Sequence, residues 1–597
     1  MSSVEDVVLA EAACVILSKQ QAPRMYWVKQ SLETRARYSG SELFKDLNQM
    51  TLTLFHVNQA AESGRRNFSK KVDKDVMYGT AGFREKAEAL DYIIYRMGLL
   101  AVLRAKYKNA AIGLMITASH NPEPDNGVKL IDPHGEMLEV KWEKIASALA
   151  NASDDKLEEV LDDIVKSESI NMSREGCVFI GQDTRPSSPS LARAAVAGIK
   201  VLSGLPTDFG VVTTPMLHFF VTCRNTQGAY GEATEKGYFT KLSTAFNKLC
   251  ASVKLSGNYK PHVFFDGANG VGAVKMKALA GYLSENLSVD IYNKGSGKLN
   301  YMCGADYVKV QQRAPSGVPA PPGERCVSVD GDADRLVYYY VDEGSVFHML
   351  DGDRIATLIA GYLMELVHAS GLAINLGLVQ TAYANGSSTH YIANVLKVPV
   401  ACAKTGVKFL HEKALEFDIG VYFEANGHGT VIASEKTTRL IKDTISKTEI
   451  PAEQRSAAEG LADVFGVINQ TVGDALSDLL LVEVVLRTKG WSIQDWLGTY
   501  VDLPNRQLKV TVKDRRVIQT TDAERICENP EGLQKKIDEL VAKYERGRAF
   551  VRPSGTEDIV RVYAEADSQE NTDRLAALVA QAVYQMAGGV GEAPTLP

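Results

Sequence analysis

Short apolar runs that stop abruptly in a loop of Gly, Asn, Asp or Ser recur along this chain of 597 residues. They are Ala111–Thr117 (AIGLMIT), Cys177–Gly181, His262–Phe265, Cys326–Val329 and Ile419–Phe423. Helix-length amphipathic segments follow them, such as Asp353–His368 with apolar residues at helical spacing. Buried strands alternating with helices predict an α/β architecture. The recurrence points to duplicated α/β units, and a chain this long exceeds what one core can hold, so three to five domains are expected. In open α/β sheets ligands bind at the carboxyl ends of strands. That directs attention to the loops TASHNP, GQDTRPSS, FDGANGVG, SVDGDADR and FEANGHGT.

The bulk properties exclude several classes. A net charge of −7 argues against nucleic acid or an anionic membrane surface as partner. Eight cysteines without a CxxC pair read as reduced thiols, with neither a disulfide framework nor a zinc site. The N-terminus MSSVEDVVLAEAACVIL lacks the basic segment of a signal peptide, and no apolar run approaches the ~18 residues of a membrane span. A cytoplasmic protein without membrane contact or an obligate protein partner is expected. Gln312–Gly323 reads as an extended Pro-rich loop and Ser434–Gln454 as a solvated excursion. The segment from about residue 500, opening on the Asp502–Pro504 turn, reads as a separate C-terminal domain.

Four motifs carry chemistry. In SVDGDADR, Asp330, Asp332 and Asp334 are crowded carboxylates that repel one another unless a divalent cation sits among them, and hard oxygen ligands suit magnesium. Taken alone, the string reads equally as a solvated acidic turn. In TASHNP, Ser119 at the end of a strand with His120 beside it has the makings of a nucleophile, but it lacks the GxSxG elbow of acyl-transfer enzymes, and taken alone the string reads more readily as a Ser/Asn-rich turn. In FVRPSGTED, Arg552, Pro553, Ser554, Gly555 and Thr556 form a tight loop with a guanidinium fork, hydroxyls and backbone N–H groups. Arg561 adds a second fork, and together they suit a phosphate dianion. In FEANGHGT, Glu424, Asn426 and His428 can hold sugar hydroxyls, although Asn-Gly is equally an ordinary turn.

TASHNP, DGDADR and RPSGTED in this order, with YGTAGFR, GQDTRPSS and DGANGVG, resemble the α-D-phosphohexomutase superfamily. FEANGHGT, CGADYVK, VQTAYANGSST and DLPNRQLKV resemble its eukaryotic phosphoacetylglucosamine mutases, over roughly residues 76 to 590. The resemblance implies three related α/β domains and a smaller C-terminal α+β domain around a central cleft. The expected segments are 76–203 with the phosphoserine loop, 204–350 with the metal loop, 351–499 with the sugar loop and 500–597 with the phosphate loop. It further implies that Ser119 carries a phosphate, and that one magnesium ion is held by Asp330, Asp332 and Asp334 and touches that group. Glu424, Ala425, Asn426 and His428 would bind sugar, with Thr405, Gly406 and Lys408 contacting substrate. Arg552 to Thr556 and Arg561 would form the phosphate pocket. Arg84, His120 and Lys129 would serve proton transfer and charge balance.

The implied reaction interconverts N-acetylglucosamine 6-phosphate and 1-phosphate through phosphoserine, with a sugar 1,6-bisphosphate as intermediate or activator. It would feed UDP-N-acetylglucosamine synthesis. A phosphoglucomutase, a phosphoglucosamine mutase and a non-catalytic sugar-phosphate-binding relative are the alternatives. Residues 1–75 exceed the pattern of the family. Their role is open between an added helical layer, a targeting or splice variant and a disordered tail.

Overall fold

The computed structural model describes residues 42–79, 81–447, 449–554 and 557–596, and the side chains from residue 53 onward. Three sheets repeat one plan. In the first, Cys177–Gln182 runs parallel to Ile112–Ile116 on one side and Leu205–Val211 on the other. Ile112–Ile116 then pairs antiparallel with Asp125–Ile131, and Phe83–Lys86 closes the edge. In the second, His262–Asp266 lies parallel to Ser288–Tyr292 and Cys326–Val329, and Cys326–Val329 pairs antiparallel with Leu336–Val341. Phe347–Leu350 forms its edge. In the third, Leu376–Thr381 lies parallel to Val400–Ala403 and Ile419–Phe423, with Gly429–Ala433 antiparallel beyond. Each unit therefore has a central strand with two parallel neighbours, one of which carries an antiparallel partner.

The strands expected from apolar runs are present. Cys326–Val329 and Ile419–Phe423 are buried at every position, which is why they contain no polar alternation. The helix expected over Asp353–His368 spans Gly352–Ser370, capped by the Asp351 carboxylate and stopped by Gly371 at φ 66°. One continuous core runs from Met115 to Trp496 and joins the three sheets. At its centre is Ala475–Lys489, a helix buried over nearly its whole length, whose first turn is capped by Asp474.

Two expectations need correction. The edge at 203/204 falls inside the first sheet, because Leu205–Val211 hydrogen-bonds to Cys177–Gln182. The chain leaves that unit only after the helix Thr214–Asn225, which packs beneath the same sheet. Ser434–Gln454 is no loop excursion: Glu435–Ile445 is a helix capped by Ser434, and it buries Thr437, Ile441 and Thr444 on one face. Its outer face is so polar that the apolar stripe is one residue wide.

Among residues 1–75, the helix Glu42–Asn67 forms an added layer on the first unit. Val57, Ala60 and Ala61 enter its core, Tyr95 Oη donates to the Ala60 carbonyl at 2.8 Å, and Phe68 stacks on Tyr95 at 4.6 Å. Residues 1–41 lie outside the described residues.

The fourth unit is a three-stranded antiparallel sheet ordered Asn505–Thr511, Ile559–Glu565, Arg548–Pro553. Period-two alternation gives it two unlike faces. Val510, Val551, Val560 and Val562 pack on the helices Leu533–Val541 and Gln569–Met586. The opposite face carries Lys509, Arg561 and Arg552 in one cross-strand row.

Candidate active site

The serine loop is built by the end of the strand Ile112–Ile116. Thr117 Oγ1 accepts from the Ser119 N–H at 2.9 Å and donates to Asp183 Oδ2 at 2.8 Å. Ser119 sits in the left-handed region at φ 51°, a conformation that L residues adopt at a cost and that here turns its side chain out of the strand's line. Its carbonyl is held from two sides, by Asn300 Nδ2 at 2.8 Å and Arg185 Nη2 at 3.2 Å. Gly331 passes so close that an added Cβ would come within 2.7 Å of the same carbonyl. The outcome is one bond across 211 residues of sequence: Ser119 Oγ donates to Asp330 Oδ2 at 2.6 Å.

Asp330, Asp332 and Asp334 are buried, and one oxygen from each lies within 4.8 Å of the others. Asp332 Oδ1 and Asp334 Oδ1 are buried and have no hydrogen-bond partner. Burial, then repulsion from Asp334 and Asp332, pushes the Asp330 carboxyl well above its ordinary range. Burial works the same way on Asp334, but Lys129, His428 and Arg335 outweigh it and hold that carboxyl well below its range. Lys129 Nζ stands 3.1 Å from Asp334 and 3.4 Å from Asp332; burial opposes its charge, but these two partners prevail and its pKa is raised. Lys129 is therefore an ammonium. Burial, then the charges of Arg335 and Arg84, pushes the His120 imidazole down to about 3. Its Nδ1 has no partner.

The sugar-loop candidate FEANGHGT joins the strands Ile419–Phe423 and Gly429–Ala433. Glu424 accepts from the Gly406 N–H at 3.2 Å and from Asn426 Nδ2 at 3.3 Å, while Asn426 Oδ1 accepts from the His428 N–H at 3.0 Å. His428 Nδ1 lies 3.4 Å from Asp334, which ties this loop to the aspartates. Gly427, at φ 85°, is wedged so tightly that a Cβ would fall 1.7 Å from the Leu336 carbonyl oxygen. Gly427→Ala is expected to cost about 3 kcal/mol or more, because backbone must move on both sides. Thermal unfolding measures this; a variant as stable as the wild type would show the loop to be less tightly held.

Two cavities meet at this loop. One of about 160 Å³ is lined by Arg84, Lys129, Asp334, Arg335, Gly406 and His428, together with Glu424. The other, of about 310 Å³, is lined by Thr405, Ala425, Asn426, Tyr383, Arg552 and Arg561, again with Glu424. Glu424 is thus a wall common to both. Arg552 and Arg561 are directly opposite in register, and like charges so placed repel unless an anion lies between them. Arg561 Nε is buried without a partner. Pro553 ends its strand and the buried Ser554 follows it, its N–H donating to the Ile559 carbonyl at 2.8 Å. Gly555 and Thr556 lie outside the described residues. Lys408 bonds Glu143 at 2.8 Å and the Leu138 carbonyl at 2.7 Å, and both of these residues line the smaller cavity together with Glu424 and His428.

Models of phosphoacetylglucosamine mutase match residues 229–337 (domain II) and 351–491 (domain III). Models of the phosphoglucomutase/phosphomannomutase α/β/α domain I and C-terminal domain match 76–156 with 159–230, and 508–582. The phosphoacetylglucosamine mutase of Homo sapiens is 55% identical over 520 residues, which cover 87% of this chain and 96% of that one. The chain belongs to the phosphoacetylglucosamine mutase family.

Among solved structures, Aspergillus fumigatus N-acetylphosphoglucosamine mutase in complex with GlcNAc-6P and magnesium superposes with a TM-score of 0.84 at 48% identity. It covers 89% of this chain and 99% of that chain. A complex of a variant of that mutase with glucose 1,6-bisphosphate gives 0.82 at 47% identity, with the same coverage. In this mutase fold several contributors escape sequence reading. Asn300 and Arg185 hold the Ser119 carbonyl, and Thr214 Oγ1 donates to Asp332 Oδ2 at 2.6 Å. Arg335, next to the aspartates, stands 3.6 Å from Asp334. Thr214 has a faint signal, since Thr-Thr-Pro marks a helix start. Asn300 has none.

Proposed function

We propose that this mutase interconverts N-acetylglucosamine 6-phosphate and 1-phosphate through a phosphate carried by Ser119. The observation that carries the reading is the bond of Ser119 Oγ to one of three buried, converging aspartates, of which Asp334 lines a cavity that shares Glu424 with the one lined by Arg552 and Arg561. The aspartates fit a magnesium ion on the chemistry of their donors. Two carboxylate oxygens are buried without partners, and the burial and crowding that push the Asp330 carboxyl up are relieved by a divalent cation. When bound, magnesium supplies charge neutralisation to the transferring phosphoryl group.

The remaining roles fall to this chain's residues. Phosphoryl transfer passes through a loose transition state, so positioning and charge dominate. Arg84, Lys129 and Arg335 line the smaller cavity with Asp334 and bring positive charge to it. The phosphoryl group leaves Ser119 Oγ for the sugar's free hydroxyl oxygen, and that hydroxyl's proton must reach the departing Oγ. His120 is the relay: it takes the proton from the sugar hydroxyl and gives it to Ser119 Oγ, and a phosphate dianion beside it raises its affinity for a proton from the low value of the bare site. The resulting 1,6-bisphosphate turns over, its other phosphate returns to Ser119, and Arg552 and Arg561 hold whichever phosphate is distal. Glu424 accepts hydrogen bonds from ring hydroxyls in either orientation. The seven cysteines among the described residues are unpaired thiols, which supports a cytoplasmic setting. No helix of the described residues is long and apolar enough to cross a membrane.

Incubation with the 6-phosphates of N-acetylglucosamine, glucosamine, glucose and mannose, followed to the 1-phosphates, tests the reading; a preference for glucose would overturn the sugar assignment. We place the acetamide beside Ala425 and Asn426, where a small side chain leaves room and an amide can donate and accept. Asn426→Ala is expected to shift the kcat/KM ratio of N-acetylglucosamine to glucose phosphate by ~10- to 100-fold towards glucose, the effect of one buried hydrogen bond. Ala425→Leu shifts it in the same direction. An unchanged ratio moves the acetamide pocket elsewhere.

A further inference from the structure

Two residues that line the larger cavity, Arg552 and Thr405, are already bonded to a carboxylate. The hairpin of Gln519–Thr521 and Ile526–Asn529 is a two-stranded sheet of its own, and its tip reaches from the fourth unit to the third. At that tip Glu524 Oε1 accepts from Arg552 Nη1 at 2.9 Å. Its Oε2 accepts from the Thr405 N–H at 2.9 Å and from Thr405 Oγ1 at 2.6 Å. A guanidinium, a backbone N–H and a hydroxyl are the donors a phosphate dianion needs. The pair is largely withdrawn from water, with Arg552 17% and Glu524 13% exposed.

Resting on the reading of this cavity as the distal phosphate pocket, we propose that Glu524 is a resident anion that takes the donors of Arg552 and Thr405 until a substrate phosphate displaces it. Glu524 is then a residue that sets affinity, acting by competition. Two observations support displacement over a fixed strut. Asp522, Ala523 and Glu524 are three consecutive non-glycine residues at positive φ, 50°, 54° and 70°, a conformation that side chains disfavour and that a swing of the tip releases. Arg561 stays with a buried, unpartnered Nε directly opposite Arg552, so the carboxylate serves one arginine of a pair that a phosphate can bridge. A carboxylate carries one negative charge where a phosphate dianion carries two, so it screens the arginines without out-competing the substrate. Because the bisphosphate must release its distal group to turn over, a returning carboxylate also speeds that release.

The experiment measures binding of N-acetylglucosamine 6-phosphate and of inorganic phosphate by calorimetry to the full chain and to Glu524→Gln, with Glu524→Asp as a shorter acid and Arg552→Ala as control. Glu524→Gln keeps the shape and loses the charge. Its apparent Kd for the sugar phosphate is expected to fall by about tenfold, because the competent state is no longer a minor one. KM should fall with it, and kcat should fall as release slows. Glu524→Asp, too short to reach both partners, should lie between. Weaker or unchanged binding in Glu524→Gln, alongside lost binding in Arg552→Ala, overturns the inference and leaves the pocket's assignment standing. Unchanged binding in Arg552→Ala overturns the pocket assignment and the inference with it.

Discussion

Ser119→Ala is expected to lower turnover of N-acetylglucosamine 6-phosphate by at least about 10³-fold, since the group that holds phosphate between half-reactions is gone. The fold should survive. Ser119 is buried, but its side chain makes a single bond, to Asp330, and its backbone is held independently by Asn300, Arg185 and Thr117. Loss of that bond costs about 1–3 kcal/mol, small against a core that runs through three units. Steady-state rates, thermal unfolding and the intact mass of the enzyme check the three parts together. Phosphate found on another residue, or a variant that turns over at the wild-type rate, would place the nucleophile elsewhere.

Asp332→Asn should raise the magnesium concentration needed for half-maximal rate by about 10²-fold, and excess magnesium should restore part of the activity. The amide fills the same space and its oxygen can still accept from Thr214, so packing is preserved. What disappears is one of three charges that converge on a single point, and Lys129, which now shares its ammonium between Asp332 and Asp334, turns wholly to Asp334. That ion pair competes with a metal for the same carboxylate, so the variant loses affinity twice. Metal titration by calorimetry reads the change apart from catalysis. Wild-type activity in the presence of chelator would remove the metal from the mechanism.

What could be read from sequence followed the distance over which each feature is built. The aspartate cluster is local: three carboxylates within five residues converge because one loop carries them. The buried strands were visible because both faces are covered and no polar position interrupts them. The hydrogen bonds that position Ser119 were invisible, because Asn300 reaches it from 181 residues away and in an otherwise unmarked segment. The strand Leu205–Val211 escaped for a local reason: at the edge of its sheet it is half exposed, and its sequence LPTDFGV has no apolar run. Lys408 stands beside the TGV turn, and its partners Glu143 and Leu138 lie far away in sequence, so its link to the first unit could not be read from its own segment.

That lysine fastens two units to each other. The ion pair of Lys408 with Glu143 is a clasp between the first and third units, only 13% and 18% exposed on its two sides. The two units are also fused through a shared core, so that seam has little freedom. The fourth unit is fastened to the third by Arg548 on the Ala382 and Ala384 carbonyls, by Glu565 accepting from the Gly386 N–H, by the apolar cluster of Ala382, Phe550 and Tyr563, and by Glu524 on Thr405. The Lys408 seam is held by a part-buried ion pair and a continuous core, so a crosslink across it is expected to leave turnover unchanged.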